Sequence, residues 1–214
     1  YQSIDTSYIM NKNGKENIGR NTHFKNKNCF KVSCIMDTNR IPLSIKVVSG
    51  NRNDAKIGIE NMDELMNHVK QINVKCKPYI LADAMYDTNE FRNKYITFGY
   101  TPITDYNPRN TKDVKKKKKL TKKQRRTYKR RIKIENGFAI VKKYKRLQLI
   151  YDSCIDTYIS FLYLGFCCMI RKYIKHPGIH KIKLPEHAIE IDRISKKNIV
   201  IHNGITYRIQ HLIL

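Results

Sequence analysis

The chain has no tryptophan, and only six prolines and nine glycines in 214 residues. That excludes collagen-like and Gly/Pro-rich low-complexity architectures. Acidic residues are scarce: 18 Asp and Glu stand against 43 Lys and Arg, a formal charge of +25. So large an excess in a folded chain favours a polyanionic partner, nucleic acid first and an anionic membrane surface a distant second. Long apolar runs are missing too. The longest, residues 158–170 (YISFLYLGFCCMI), falls short of the roughly 20 residues that span a bilayer and suits a buried core helix. The six cysteines form no C-x2-C pair and the seven histidines are scattered, so no zinc-ligand spacing exists. Cys29, Cys34, Cys167 and Cys168 lie in apolar sequence and are predicted to be buried, reduced, intracellular thiols. The chain opens on polar Tyr1-Gln2-Ser3, so no signal peptide is expected here.

What is present is enough for a core. Hydrophobic residues make up 41% of the chain, consistent with one large domain or one domain with an appendage. Residues 2–8 read as a strand carrying Asp5. Residues 29–36 alternate Phe30, Val32 and Cys34, and with residues 41–48 they form a hairpin around a turn at Asp37. Residues 55–70 have the apolar period of a helix, capped by Asn53 or Asp54. A short apolar strand, residues 78–82, delivers Asp83 at its C-terminal end. Asp87 and Glu90 have the spacing of a helix cap, and residues 100–104 form another strand. The order is that of a mixed α/β fold. Residues 105–126 lose any apolar period and read as an exposed, mobile basic insertion. A basic helix, an apolar helix to about residue 174 and the Pro177-Gly178 break follow. Residues 176–214 form a small appendage with a β-hairpin at Asn203-Gly204.

Residues 127–146, TYKRRIKIENGFAIVKKYKR, carry one carboxylate, Glu135, among eight Lys and Arg side chains. Tyr128, Arg131, Glu135 and Lys142 are spaced by 3, 4 and 7 residues. At about 100° per residue these steps place all four within an arc of roughly 60° on a helix. Ile134, Phe138 and Val141 form the apolar edge beside it. Glu135 has a plain alternative, an ion pair with Arg131 four residues earlier, worth about 0.3–0.5 kcal/mol when exposed. Asp37, Asp54 and Asp87 are accounted for as turn and cap residues. A strand-end aspartate such as Asp5 or Asp83 is also more often a cap or turn residue, so periodicity alone makes Asp5, Asp83 and Glu135 a weak triad. If the first and fourth strands are neighbours, Asp5 and Asp83 converge at a strand end, and a helix crossing that edge brings Glu135 alongside. Three hard oxygen donors suit Mg²⁺ or Mn²⁺. Two such ions, about 3.5–4 Å apart, would clamp both oxygens of an in-line phosphoryl transfer.

These stretches resemble the catalytic domain of the DDE transposases of bacterial insertion sequences, in the right order from Tyr1 to about Tyr173. SIDTS resembles the first-aspartate strand. KVSCIMDTNRIPLSIKVVSGNRND resembles the following hairpin and its Gly-Asn-Arg-x-Asp loop. ILADAMYDTNEFR resembles the second-aspartate motif, and YKRRIKIENGFAIVK fits Tyr-x2-Arg-x3-Glu-x6-Lys at every named position. The resemblance implies a ribonuclease-H-like mixed sheet flanked by helices over residues 1–175. It implies Asp5, Asp83 and Glu135 as catalytic ligands of two Mg²⁺ or Mn²⁺ ions, and Tyr128, Arg131 and Lys142 as contacts to transposon-end DNA. The activity implied is metal-dependent strand cleavage and transfer in DNA transposition, inside the cell, on end and target DNA, by a homodimer on DNA. Lys115, Lys116, Lys117, Lys118 and Lys119 would touch backbone phosphates without reading sequence. The chain departs from the family in two places. Met85 stands where the family usually has glycine, and only four residues precede Asp5, so an upstream recognition region is expected to be missing. The rival readings are a catalytically inactive DNA-binding relic, a nuclease of the same fold acting on RNA–DNA hybrids or junctions, and a membrane-surface protein.

Overall fold

The computed structural model describes residues 1–16, 18–22, 25–68, 77–107, 109, 120–175, 199–202 and 205–208. They fall into two units, Tyr1–Met169 and Ile170–Leu214. In the first, β1 (Gln2–Asn11), β2 (Gly19–Asn21), β3 (Lys27–Asp37) and β4 (Pro42–Ser49) precede α1 (Asp54–His68). Then come β5 (Tyr79–Ala82), α2 (Asn89–Thr97), β6 (Thr101–Thr104), α3 (Lys122–Tyr128), α4 (Ile132–Val141), α5 (Lys145–Gln148) and β7 (Leu149–Ile150). α6 (Ile155–Lys175) follows, and β8 (Ile199–His202) pairs antiparallel with β9 (Ile205–Arg208) in the second unit. The expected appendage hairpin matches this pair, while its Asn203-Gly204 turn lies outside the described residues.

β1 is the spine of a seven-stranded mixed sheet. It pairs antiparallel with β3 from Gln2↔Asp37 to Met10↔Cys29, and β4 lies antiparallel on the far edge of β3. On its other side β1 pairs in parallel with β5 (Gln2↔Ile80, Ser3↔Leu81), and β6 runs parallel beyond it. Two antiparallel strands, a central one and two parallel ones make the expected ribonuclease-H-like arrangement. β1 outruns β5, which ends at Ala82, and among the described residues that edge of β1 next pairs with a strand at β7. The sheet is therefore split just beyond Ile4, where β1 and β5 diverge.

Alternation assigns the faces. Ile4, Ile35, Ile80 and Ala82 join Met62 and Leu65 of α1 and Phe91 and Tyr95 of α2 in one core cluster. On the α4 side Ile134, Phe138 and Val141 are buried, the apolar edge expected from spacing. There Gly137 lets α4 approach closely: a Cβ at this position would lie 2.4 Å from Met36 Sδ. α6 buries Ile155, Tyr158, Leu162, Phe166 and Met169, so Cys167 and Cys168 fall on its outer side. The expectation that these two are buried is corrected by the helical period: they follow Phe166, which takes the inward position.

The basic segment also differs from expectation. It does not form one helix over residues 127–146. A 3-10 turn at Lys129–Arg131 separates α3 from α4. Residues 122–126, expected to be part of a mobile insertion, are helical because Thr121 and Gln124 cap α3 reciprocally, side chain to backbone in both directions. Among the described residues no helix is long and apolar enough to cross a membrane.

Candidate active site

The parallel register Gln2↔Ile80, Ser3↔Leu81, continued by two residues, brings Asp5 level with Asp83. Asp83 follows the last residue of β5, and its carboxylate accepts the Ala84 N–H at 2.6 Å, fixing the turn that ends the strand. Asp5 sits within β1, and its Oδ1 accepts the Thr6 N–H at 2.8 Å. Glu135 lies in the first turn of α4 and is exposed.

Arg131 joins the acids. Its Nη1 donates to Asp5 Oδ2 at 3.0 Å and its Nη2 to Glu135 Oε1 at 2.7 Å. The predicted i, i+4 pair thus exists, but its guanidinium also reaches a strand 126 residues away in sequence. Tyr128 lies under it, with its ring centre 5.9 Å from the guanidinium carbon. The 3-10 turn that breaks the helix keeps Tyr128, Arg131 and Glu135 together.

Burial dominates the electrostatics of Asp5. It pushes the carboxyl up to about 6, although Arg131 and the Thr6 N–H pull it down; the charges of Asp83 and Glu135 push the same way as burial. Arg131 is raised by Asp5, Tyr128, Asp83 and Glu135 against the opposing effect of its own burial. Lys142 ends α4 half-buried, donates to the Tyr8 carbonyl at 3.3 Å, and is held below the usual lysine range by burial. Its partner in the structure is the β1 backbone.

Asp5 and Asp83, without Glu135, share a cavity of about 200 Å³ in the split between β1 and β5, lined by Asp5, Thr6, Tyr8, Asp54, Asp83, Met85 and Tyr86. Met85, where the family usually has glycine, is 38% exposed and takes part in lining that cavity. Among the described residues no three His, Cys, Asp or Glu side chains stand close enough together to hold a metal ion as they lie. Between Asp5 and Glu135 lies a cation, the Arg131 guanidinium. A desolvated carboxylate crowded by two others calls for positive charge. The donor set is all oxygen, which fits a hard divalent ion.

Two of the acids assigned as caps are differently employed. Thr88, not Asp87, caps α2 by accepting the Phe91 N–H. Asp87 instead holds Arg92 and the Asn107 N–H. Asn53, not Asp54, caps α1, with its Oδ1 accepting from Ala55 and Lys56 N–H. Asp54 turns inward, 2.9 Å from the Lys31 amine. The basic face extends through Lys122, Lys123, Arg125, Arg126, Lys129 and Arg130, all exposed; the Thr121-x-x-Gln124 spacing was the signal for its first turn. Residues 115–119 lie outside the described residues.

Residues 8–164 match the family described as the transposase DDE domain. Asp83, Tyr128, Arg131, Glu135 and Lys142 fall inside the match, and Asp5 lies three residues before it. No curated protein matches the chain. Among solved structures the chain is similar to one in the cryo-EM structure of the simian T-cell lymphotropic virus intasome in complex with PP2A regulatory subunit B56 gamma. The two are 15% identical with a TM-score of 0.45, over 86% of this chain and 50% of that one. The chain thus spans half the length of that solved chain.

Proposed function

The chain belongs to the transposase DDE domain family, and from that premise we propose that it cuts DNA at the ends of a mobile element and joins the freed strand to target DNA. The observation that carries this reading is the pairing of one guanidinium, Arg131, with Asp5 and Glu135, next to the cavity that Asp5 shares with Asp83. Asp5, Asp83 and Glu135 are the ligands of Mg²⁺ or Mn²⁺, two ions in this reading. When bound, these supply positive charge to the attacking and leaving oxygens of a phosphoryl transfer.

The chain's own groups do the rest. Arg131, released by the two acids, turns its planar fork to a DNA phosphate, which it suits bidentately. Tyr128 holds the guanidinium from below. Lys142, poorly solvated at the end of α4, adds a point charge on the same side. The exposed cations of α3, with Lys115, Lys116, Lys117, Lys118 and Lys119, grip backbone phosphates without reading sequence. In the first step water attacks the phosphodiester and the 3′-oxygen leaves as a hydroxyl; in the second that hydroxyl attacks a target phosphodiester, the bond to the target strand's own 3′-oxygen breaks, and that oxygen leaves with the proton as a new 3′-hydroxyl. Positioning and charge stabilisation account for both. A homodimer on two element ends, inside the cell, completes the reading.

Incubation with a pool of mixed-sequence DNA duplexes in Mn²⁺ or Mg²⁺ tests it. Nicking that leaves 3′-hydroxyl ends, stops in chelator and is lost in Asp83→Ala is the expected result. DNA binding without nicking in either metal would overturn the catalytic reading and favour a DNA-binding relic.

A further inference from the structure

The turn that follows Asp83 is closed by a carboxylate that the proposed reaction does not use. β5 and β6 end level with each other, Ala82 opposite Thr104. The chain then makes a 3-10 turn, with the Tyr86 N–H on the Asp83 carbonyl and the Asp87 N–H on the Ala84 carbonyl, both at 3.0 Å. Asp87 returns it to the same place. Its Oδ1 accepts from Arg92 Nε at 2.9 Å, from Arg92 Nη2 at 2.6 Å and from Thr104 Oγ1 at 3.4 Å. Its Oδ2 accepts the Asn107 N–H at 3.1 Å. Arg92 also donates to Thr104 Oγ1. The turn from Asp83 to Asp87 is therefore pinned at both ends to Thr104, once by the strand ladder and once by side chains.

This bracket differs from a surface ion pair. The Asp87 side chain is 15% exposed, and Thr104 and Asn107 are buried. It joins α2, β6 and the stretch after β6. Lys94 and Asp63, 2.8 Å apart and both more exposed, tie only α2 to α1. Asp87 is not spent on capping α2, which Thr88 does. The contacts to its side chain are all donated to it, so a carboxamide in its place would set an N–H against a donor. At the start of the turn one Asp83 oxygen is taken by the Ala84 N–H. A carboxylate is planar, so once that oxygen is fixed the turn decides where the other lies.

We propose that Asp87, locked by Arg92, is a positioning residue that sets the direction of the Asp83 carboxylate and, with it, the affinity of the site for a divalent ion. The inference rests on the reading of Asp83 as a metal ligand. Asp87 acts through the backbone of the turn. Replacing a residue that holds a metal ligand in place ordinarily weakens metal binding by roughly 10–100-fold.

The test is calorimetry of Mn²⁺ binding to the whole chain with a short DNA duplex present. Asp87→Asn and Arg92→Lys should each weaken Mn²⁺ binding by about tenfold or more. The Mn²⁺ concentration for half-maximal nicking should rise in the same proportion. Arg92→Lys keeps every charge and loses only the two-point fork, so its loss is one of geometry, and it decides the matter if Asp87→Asn does not fold. DNA affinity in chelating buffer should hold in Arg92→Lys and hold or rise in Asp87→Asn, which removes a negative charge. Lys94→Ala breaks the other ion pair of α2 and stands for a merely structural loss; it should keep wild-type Mn²⁺ affinity. Wild-type Mn²⁺ affinity in Arg92→Lys, or an equal weakening in Lys94→Ala, overturns the proposal and leaves the transposase reading intact. No Mn²⁺ binding by the wild-type chain with DNA present overturns both.

Discussion

Replacing Asp5 by asparagine should make the protein more stable while removing its function. Asp5 carries a charge in a place that burial makes unfavourable, and the folded carboxyl titrates near 6 against an ordinary 3.8. Because the folded value is the higher one, the group's contribution to stability is fully present below pH 3.8 and is lost as pH rises through about 6. At about 1.36 kcal/mol per pH unit, the loss approaches about 3 kcal/mol by pH 7.5 and is about half that at pH 5. Asparagine is neutral throughout and keeps the shape, and Arg131 retains Glu135. Asp5→Asn should therefore exceed the wild-type chain by up to about 3 kcal/mol at pH 7.5, with the gain shrinking toward zero below pH 4. Urea unfolding of both proteins at pH 4, 5 and 7.5 measures this. A variant equal to or weaker than wild type at pH 7.5, or a gain that does not change with pH, would refute the reasoning. Stability given up at a functional carboxylate is a common exchange.

Glu135 should behave differently, because its pair with Arg131 is half exposed, at 49%. Glu135→Gln should abolish cleavage, keep DNA affinity, and move stability by no more than about 0.5 kcal/mol, read from nicking, binding and melting assays on one preparation. DNA affinity should fall steeply as salt rises, through counterion release from phosphates; a titration of binding against salt concentration checks it. Gly50→Ala should destabilise by about 1–3 kcal/mol in urea. Its Cβ would lie 2.5 Å from the Cys29 carbonyl and 2.8 Å from that of Gly19, backbone atoms with no room to give.

Much of this was legible from residue order. The strand at β3, the apolar period of α1 and the placement of Asp83 at a strand end are local patterns, and they hold in the fold; the alternation read in β3 marks no exposed face, because residues 29–36 are all buried. The alignment of Tyr128, Arg131 and Glu135 was read from helical spacing, and all three stay together although the helix is interrupted at Lys129–Arg131. What local pattern cannot give is a partner far along the chain. The reach of Arg131 to Asp5 depends on how α4 lies on β1. The inward turn of Asp54 depends on Lys31 waiting on β3, with Asn53 doing the capping one residue earlier. Asp87 and Thr88 compete for one cap in the same way, and the neighbouring Arg92 settles which of them is drawn away. The split between β1 and β5 that opens the cavity follows from unequal strand lengths, which no single motif records.

The central claim, that Asp5, Asp83 and Glu135 form a site for divalent ions serving DNA cleavage, is tested most directly by calorimetry of Mn²⁺ binding. The titration is run on the wild-type chain and on Asp83→Ala, with and without a short DNA duplex. The account predicts saturable binding by the wild-type chain, strengthened when DNA draws Arg131 from the acids, and lost in Asp83→Ala. No binding by the wild-type chain even with DNA present, or equal binding by the variant, would contradict it.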